Sequence, residues 1–270
     1  MIVENGNTVV IDRPVFEDIY LAGGTVTVNA PVHGDIVAAG GTIYINDTVI
    51  GEVLIAGANV TVNGYVTGKV RCIAGTLRIA QHIDGDLVIA GGTLSLEHNA
   101  VIAGSLLATG GNLVLNGIVR RDIRAACASL KVYDSVGGNI DCRGTDIEIN
   151  APIGGASTLV AGRQLDIGTA AAFYQDVDYW APETVDFGSS LKGAKVVRDE
   201  SLRPYGQLAQ RARQQGVVPL APGICGFWLF GAVAPSFFDP FYRLDRRRLR
   251  DMSGVWLHPG QHSFEKTSGG

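Results

Sequence analysis

Hydrophobic and polar positions repeat with a period of 17 residues between residues 18 and 155. Eight copies of the repeat align, and only the copy at 86–104 departs from this length, with two additional residues. Positions 2, 9, 11 and 15 are aliphatic in every copy. A fixed period of this size is typical of repeat architectures, in which units too short to bury an apolar face alone must stack to form a core. The copies occupy residues 18–34, 35–51, 52–68, 69–85, 86–104, 105–121, 122–138 and 139–155.

Alternation inside the repeat predicts strands. Positions 9 and 11 are aliphatic between mostly polar neighbours, and positions 2 and 4 form a second alternating pair, which is the period of half-buried strands. Position 15 is a single aliphatic residue between turns, so we predict three short strands around an apolar triangle. Frequent glycine and β-branched residues disfavour helix. The predicted fold is an all-β parallel β-helix, a β-solenoid of about ten 17-residue coils.

Glycine and asparagine recur at fixed positions of the repeat. Position 6 is glycine in six copies and position 17 in seven. Corners between strands require either positive φ or close backbone approach, and glycine permits both. Asparagine shares position 12 in five copies, where stacked amides are expected to pair from coil to coil. These asparagines are Asn29, Asn46, Asn63, Asn116 and Asn150.

The pattern extends beyond the eight copies in both directions. Val9, Ile11 and Val15 occupy positions 9, 11 and 15 of an incomplete coil that precedes the first copy. A ninth coil with altered corners and a tenth coil rich in aromatic residues follow residue 155. Large side chains suit a last coil, because they can cover a core that has no neighbour above it. We therefore predict a β-helix domain at residues 1–193.

The remaining chain has a different composition. Residues 194–215 are predicted to be a linker or a short helix. Residues 216–238 lack charged side chains and form a candidate membrane segment, although Pro219, Pro222 and Pro235 interrupt it. A span needs about 20 continuous apolar residues, so an interfacial or disordered apolar tail is an equal alternative. Residues 239–270 are basic and predicted to be disordered; a garbled end of the reading frame is a third interpretation.

Charge is distributed unevenly along the chain. The net charge is −4, but residues 201–270 hold nine Lys/Arg against four Asp/Glu, whereas residues 1–200 hold 13 against 22. An acidic rod with a basic tail is not a nucleic-acid-binding pattern for the rod. No basic and apolar leader precedes the first coil, so we expect either a cytosolic protein or a leader outside this chain. The predicted localisation is membrane-associated, on a side that stays open.

Few residues suggest chemistry. Cys72, Cys127, Cys142 and Cys225 lack metal-ligand spacing, and we expect buried packing for Cys72 and Cys142 at position 4. The histidines are expected to be solvated surface residues.

Acidic residues at position 1 form a column that could attract Ca²⁺, but a structural role at the corner is favoured. No helix follows the Gly-Gly pairs, which excludes a phosphate loop. We predict no catalytic, cofactor or metal site and no small-molecule substrate. The position 1 acids are Asp18, Asp35, Glu52, Asp86 and Asp122.

Two coils carry a resemblance to a known family. Residues 35–46 (Asp-Ile-Val-Ala-Ala-Gly-Gly-Thr-Ile-Tyr-Ile-Asn) and 86–96 (Asp-Leu-Val-Ile-Ala-Gly-Gly-Thr-Leu-Ser-Leu) closely resemble coils of the bactofilins, the polymer-forming cytoskeletal proteins of bacteria and archaea. The resemblance covers about residues 8–193. It implies a right-handed β-helix that polymerises end to end without nucleotide and associates with a membrane. Hydrophobic spans that follow the repeats in such relatives would correspond to residues 216–238.

Both ends of the solenoid are candidate polymer interfaces. An end coil exposes unpaired backbone groups and an apolar triangle, which is a template for a further coil. We place the amino-end interface at Val9, Ile11, Val15, Ile19 and Leu21. Tyr179, Trp180 and Phe187 form either a cap or a second docking face at the other end. Position 3 is apolar along much of one flank. This flank is either a surface for lateral association or a partner, or it reflects the ordinary β propensity of an exposed strand.

Three function classes follow from the pattern. A structural polymer accounts for the uniform coils and the scarcity of catalytic groups. A hexapeptide-repeat acyltransferase would need apolar residues every six positions, which the spacing excludes. A cell-surface adhesin or carbohydrate-binding solenoid is the alternative. We therefore predict a non-enzymatic scaffold whose partner is itself, in a filament or sheet, tethered to a membrane through its C-terminal region.

Overall fold

The computed structural model describes residues 1–203 of the chain, and these residues wind into a β-solenoid. Twelve strands form one parallel sheet in the order β1-β2-β3-β4-β5-β6-β8-β10-β11-β13-β15-β16, and β7 with β9 and β12 with β14 form two short additional pairs. Short 3-10 turns lie at Gly188–Ser190 and Glu200–Leu202. The strands are β1 (Ile2–Ile11), β2 (Ile19–Val28), β3 (Ile36–Ile45), β4 (Val53–Val62), β5 (Val70–Ile79), β6 (Leu87–Leu96), β7 (Val101–Ile102), β8 (Leu106–Leu115), β9 (Ile118–Val119), β10 (Ile123–Val132), β11 (Ile140–Ile149), β12 (Pro152–Ile153), β13 (Ser157–Ile167), β14 (Ala172–Phe173), β15 (Val177–Trp180) and β16 (Val196–Arg198).

Neighbouring coils pair in the register that the repeat predicts. Ile19 lies beside Ile36 and Ile36 beside Val53, which is an offset of one 17-residue repeat at each step. Parallel strands require a crossover connection, and here the rest of each coil supplies it. The predicted all-β solenoid of stacked parallel coils is therefore confirmed.

The aliphatic positions converge on one interior. Ile36, Ile43, Ile45 and Val49 of a single coil are all fully buried and belong to one continuous hydrophobic cluster. Fully burying a side chain of this size contributes roughly 1.5–3 kcal/mol, and the same positions are filled in successive coils. Stacking therefore supplies the core that a single unit cannot form.

The coils from β1 to β13 each contain one long strand of 10 or 11 residues where the sequence predicted two short ones, and the strands β15 and β16 of the last two coils are shorter. In β2 the buried residues are Ile19 and Leu21 at positions 2 and 4, followed by Val26 and Val28 at positions 9 and 11. The buried positions are even in the first half of the strand and odd in the second half. The side of the strand that faces the interior therefore changes, and the strand turns a corner between the two halves. Strand pairing skips position 7 at this corner but resumes directly after it. Position 15 contributes only single bridges in most coils, such as Val32 to Val49.

Close backbone approach explains the corner glycines. A Cβ atom placed on Gly51, at position 17, would lie 2.2 Å from the carbonyl oxygen of Gly34 in the preceding coil. Among the described residues, positive φ occurs at Gly188 and Gly193, outside the regular coils. The sequence left two reasons open for glycine at the corners, positive φ and close backbone approach. In the coils, close backbone approach is the reason that applies.

The stack is longer than the sequence predicted, with twelve sheet strands against about ten coils. The coil before the first copy is not incomplete, because β1 pairs with β2 from Ile2 through Ile11. At the other end β16 pairs with β15 beyond the expected boundary at residue 193. The linker prediction beyond residue 203, the candidate membrane segment 216–238 and the tail 239–270 lie outside the described residues. Within residues 1–203, no helix has the length and apolar character needed to cross a bilayer.

Gly51→Ala is expected to destabilise the solenoid by about 1–3 kcal/mol, because the added methyl group would force two coils apart. Gly162→Ala is the matched control, since a Cβ there would lie 3.5 Å from its nearest neighbour, the carbonyl oxygen of Gly144. Chemical denaturation followed by circular dichroism measures both variants. Equal stability of the two variants would contradict the close-approach explanation.

Ser157 is the one polar residue at position 2 of the described coils, between Ile140 and Val177 in the column. Its hydroxyl is buried and has no hydrogen-bond partner among the described residues. An unsatisfied buried hydroxyl costs about 1–3 kcal/mol. We expect Ser157→Val to raise the free energy of unfolding by an amount in this range, with Ser157→Ala giving a smaller gain. A lower melting temperature for both variants would show that the hydroxyl has a partner.

Candidate functional site

The amino-terminal edge of the sheet is an open strand. In a parallel ladder, both backbone groups of a residue face the same neighbour, and successive residues alternate between neighbours. Ile2 N–H donates to the Asp18 carbonyl (2.9 Å), and Asn29 N–H donates to the Ile11 carbonyl (2.8 Å). Ile2 and Ile11 therefore face β2, and the backbone groups of Val3 and Val10 face away from it. Because β1 is the first strand of the sheet order, these groups form an edge that can accept another strand.

The predicted amino-end residues lie below this edge. Val9, Ile11 and Val15 are only 4%, 6% and 8% exposed, and Ile19 and Leu21 are buried one coil deeper. Their side chains fill the interior and offer little surface of their own. Besides Met1, the most exposed apolar side chains at this end occupy outward positions 3, 10 and 16. These are Val3 (62% exposed), Val10 (47%) and Phe16 (75%).

Phe16 belongs to this end surface through a contact on the coil corner. Its ring stacks on the ring of His33, one coil away, with 4.8 Å between centroids. The outward parity of positions 3 and 10 follows from the repeat itself, so the sequence contained the signal for Val3 and Val10. The predicted interface contained only the aliphatic interior positions and therefore omitted Val3 and Val10.

The aromatic residues at the carboxyl end are covered. Tyr179, Trp180 and Phe187 are all buried. The Phe187 ring lies 5.2 Å from that of Tyr179 and 5.6 Å from that of Phe173. Trp180 Nε1 donates to Glu200 Oε2 at 3.2 Å. Tyr179 and Phe187 thus form a packed plug with Phe173, whereas Trp180 is not part of the interior cluster and contacts Glu200 instead. The strand β16 and the turn after it lie beyond the plug.

The carboxyl end is stepped rather than flat. β13 pairs with β15 only from Ser157 to Val160, so its second half has no described strand on the carboxyl side. A groove of about 460 Å³ lies there, between residues 163–167 and 181–186. The short β16 continues the sheet on the other half of the coil. Strand addition at this end is therefore offered by β16, over positions 2 to 4.

One flank of the rod is partly apolar, as the sequence predicted. Tyr20 is exposed at position 3, and Val37, Leu54, Val88 and Leu107 are half-buried along the same column. Arg71 interrupts this flank, and its guanidinium lies 2.7 Å from the Glu52 carboxylate. The ion pair neutralises the one charge in the middle of an otherwise apolar strip.

The acidic column at position 1 acts as a second ladder between coils. Asp18 Oδ1 accepts from the backbone N–H of Asp35 at 2.9 Å, and Asp35 Oδ1 accepts from that of Glu52 at 2.7 Å. Asp122 and Asn139 make the same contact with the coils that follow them. An amide performs the same role as a carboxylate here, which supports the structural interpretation over a cation site. Within residues 1–203 there is no group of three His, Cys, Asp or Glu side chains that could hold a metal ion.

Asparagine side chains pair along the rod in the amino-terminal coils. Asn46 Nδ2 donates to Asn29 Oδ1 at 2.8 Å, and Asn63 Nδ2 donates to Asn46 Oδ1 at 2.9 Å. The predicted amide ladder is confirmed for these three residues. Asn150 instead accepts from the backbone N–H of Ala170, in a longer coil.

The three cysteines within residues 1–203 are buried thiols rather than reactive groups, and Cys225 lies outside the described residues. Cys72, Cys127 and Cys142 are free and buried. Burial raises the pKa of Cys72 and of Cys127 to about 12. Burial, and then the nearby Cys127 and Asp141, raise the pKa of Cys142 well above its ordinary value. Thiolate is the reactive form, so these side chains act as packing groups, as predicted for Cys72 and Cys142.

The described histidines lie in different coils. His33 and His98 are exposed, and His82 is half-buried, with Nε2 2.8 Å from Asp84 Oδ1. The Tyr65 hydroxyl also donates to Asp84, and this bond, followed by the contact with His82, holds the pKa of Asp84 below its usual value. No two of these histidines share a site, so each keeps a surface or pairing role.

Comparison of the chain with protein-family models, with curated proteins and with solved structures found no match. The geometry alone therefore identifies what the surface can do. Many polar side chains along the coils form hydrogen bonds with neighbouring coils. Among the described residues, the outward backbone N–H and C=O groups of the two end strands are the ones that a further strand could pair with. The ends are the candidate functional site.

Asp122→Ala is expected to destabilise the fold by about 0.5–1.5 kcal/mol, because it leaves the backbone N–H of Asn139 without its 2.8 Å partner. Asp122→Asn is the matched control and should retain nearly full stability, as Asn139 does at the same position. Thermal denaturation at neutral pH compares the two. A large loss in Asp122→Asn that matched Asp122→Ala would indicate that the charge itself is required.

Proposed function

We propose that this chain is a non-enzymatic structural scaffold that assembles end to end by adding coil to coil. The observation that carries the proposal is the edge of β1, a ten-residue strand with a described neighbour on one side only. Its outward backbone groups have the spacing of every junction inside the rod. A second copy of the chain offers β16, which pairs in parallel with β15 in its own coil stack.

The energetics of a solenoid favour this kind of assembly. Each coil contacts only its neighbours, so stability is a sum of coil terms and of interfaces between coils. A junction between two copies is one more interface of the same type. Edge strands that are not blunted are templates for strand addition. Val3 and Val10 add apolar contact to the hydrogen bonds at this edge.

The resemblance to bactofilins supports the same function. It rests on the Gly-Gly-Thr coils, and the corner geometry explains why glycine recurs there. In this proposal the rod spans about 50 Å, with successive strands about 4.8 Å apart, and repetition of rods gives a filament or sheet. We extend the proposal to association with a membrane through the apolar stretch 216–238 in the C-terminal region.

Val3→Pro is expected to abolish filaments in negative-stain electron microscopy of the full-length protein. Proline is tolerated where an edge-strand N–H faces outward, but it removes the donor that a further strand needs. The melting temperature should stay near that of the unchanged chain. Val3→Thr keeps the donor and β propensity, and Val10→Pro changes an outward residue beyond the three positions that β16 covers, so both controls should still assemble.

Two outcomes would contradict the scaffold proposal. One is a full-length chain that remains a monomeric rod at high concentration, as an adhesin or carbohydrate-binding solenoid would. The other is filament formation that Val3→Pro leaves unchanged, which would remove β1 from the interface. Sedimentation of the same samples gives the assembled fraction independently of the images.

A further inference from the structure

The inward column at position 4 begins and ends with a charge. Strand pairing places Glu4 beside Leu21 at the amino end and Arg198 beside Tyr179 at the carboxyl end. All members between them are apolar or aromatic, so the two charges are exceptions to an otherwise uniform column. From β1 to β16 the column reads Glu4, Leu21, Ala38, Ile55, Cys72, Ile89, Ala108, Ala125, Cys142, Leu159, Tyr179 and Arg198.

The backbone at the carboxyl end is the complement of the backbone at the amino end. Val177 N–H donates to the Lys195 carbonyl at 2.8 Å, and Asp199 N–H donates to the Tyr179 carbonyl at 2.9 Å. By the alternation of a parallel ladder, Val196 and Arg198 direct their backbone groups away from β15. Val3 directs its groups outward from the opposite end of the rod.

We propose that the scaffold is polar, with β16 of one copy pairing in parallel with β1 of the next copy. This inference rests on the proposed function and specifies its junction. Val196 would lie beside Ile2, Val197 beside Val3, and Arg198 beside Glu4. The junction thereby continues three columns of the rod. The pairs Val196 with Ile2 and Val197 with Val3 are apolar, and Arg198 with Glu4 is an ion pair between opposite charges.

The register of the junction defines its hydrogen bonds. By the pattern that every internal coil follows, Val196 N–H donates to the Met1 carbonyl of the next copy and Arg198 N–H to the Val3 carbonyl. In return, Val3 N–H donates to the Val196 carbonyl, and Asn5 N–H donates to the Arg198 carbonyl. Four backbone bonds thus form without any change in either strand.

The side chain of Arg198 is held in place for this contact. Its Nη2 donates to the carbonyls of Ala181 (2.9 Å) and Pro182 (3.2 Å) and lies 3.5 Å from Glu200 Oε1. A guanidinium has five N–H donors, and the side chain remains 34% exposed. Donors therefore remain for the Glu4 carboxylate. At the amino end the Met1 ammonium already pairs with Glu17.

The matching charges select the orientation of assembly. A contact between two different surfaces generates an open, polar filament when the rotation does not close. Like charges at a junction are unfavourable, so Glu4 and Arg198 favour opposite ends. Because pairing covers only three residues of β16, the ion pair has a large share in specifying the register.

Charge reversal in the full-length protein tests the junction. Glu4→Arg places two cations at each junction and Arg198→Glu places two anions, so either variant alone should raise the critical concentration for assembly by at least about tenfold. An equimolar mixture should assemble, because each end of one variant then meets the opposite charge on the complementary end of the other variant. The double variant Glu4→Arg/Arg198→Glu should also recover assembly. Light scattering and negative-stain electron microscopy measure these outcomes.

Two charge changes away from the matched positions serve as controls. Asp12→Arg alters charge at the amino end outside the paired segment, and Arg124→Glu repeats the Arg-to-Glu change on an exposed residue in the middle of the rod. Both should assemble nearly as the unchanged chain does. Circular dichroism and melting temperature establish that all variants are folded. If either reversal fails to fold, the neutral variants Glu4→Gln and Arg198→Gln replace it, with a smaller but measurable rise in critical concentration.

The outcomes separate the polarity from the scaffold itself. If Arg198→Glu assembles normally while Glu4→Arg does not, Arg198 is not part of the junction, and the head-to-tail pairing of β16 with β1 is wrong while the scaffold stands. Failure of both the mixture and the double variant would likewise overturn the Glu4–Arg198 pair. If the unchanged chain never assembles, the proposed function fails and the junction fails with it.

Discussion

In-register parallel stacking is the interaction on which the rest of this structure depends. Each coil places its backbone and its side chains directly beside the equivalent groups one repeat away, as Ile19, Ile36 and Val53 show. Every requirement on one coil is therefore imposed on its neighbours. Aliphatic columns form the interior, amide and carboxylate columns form hydrogen-bond ladders, and glycine columns occupy corners where backbones nearly touch. The sequence repeats every 17 residues because each coil is related to the next by the same shift along the rod.

The same translation leaves the ends of the rod unfinished. A closed barrel uses all of its edges, whereas a solenoid retains one at each end. The two ends of this chain are built differently. The amino end is a full ten-residue strand with its outward groups exposed, and the carboxyl end has an aromatic plug followed by a three-residue strand. The proposed assembly would use the first feature, and the second would limit where a neighbouring copy can attach.

Much of the fold could be predicted from the sequence, because strand parity and the fixed period both leave a signal in residue types. The interior residues Ile36, Ile43, Ile45 and Val49 were identified in this way. The continuous strand was missed, since a glycine corner reads as a break in the pattern although strand pairing resumes directly after it. The first coil was placed from Val9, Ile11 and Val15 but taken as incomplete, because Glu4 is charged at an inward position. The strand β16 was missed because Arg198 is charged at the same position.

The candidate site was predicted less well than the fold, for a physical reason. Hydrophobicity identifies side chains that avoid water, and at the amino end these residues, such as Val9 and Ile11, already lie inside the rod. The groups that remain available are backbone N–H and C=O groups, which every residue carries and which composition does not reveal. Only the register and the hydrogen-bond directions around Val3, Val10, Val196 and Arg198 distinguish the free groups from the paired ones.

The coil at 86–104 carries its two additional residues in the turn between Leu96 and Ile102, where Ala100 N–H bonds the Glu97 carbonyl at 2.9 Å. The strands on both sides keep their alignment with the coils above and below. Turns of this architecture can therefore change length without disturbing the core. Duplication of one complete unit would likewise lengthen the rod by about 4.8 Å and create only surfaces that the protein already has. The length of the rod can therefore change in steps of one coil, by duplication or loss of single repeats.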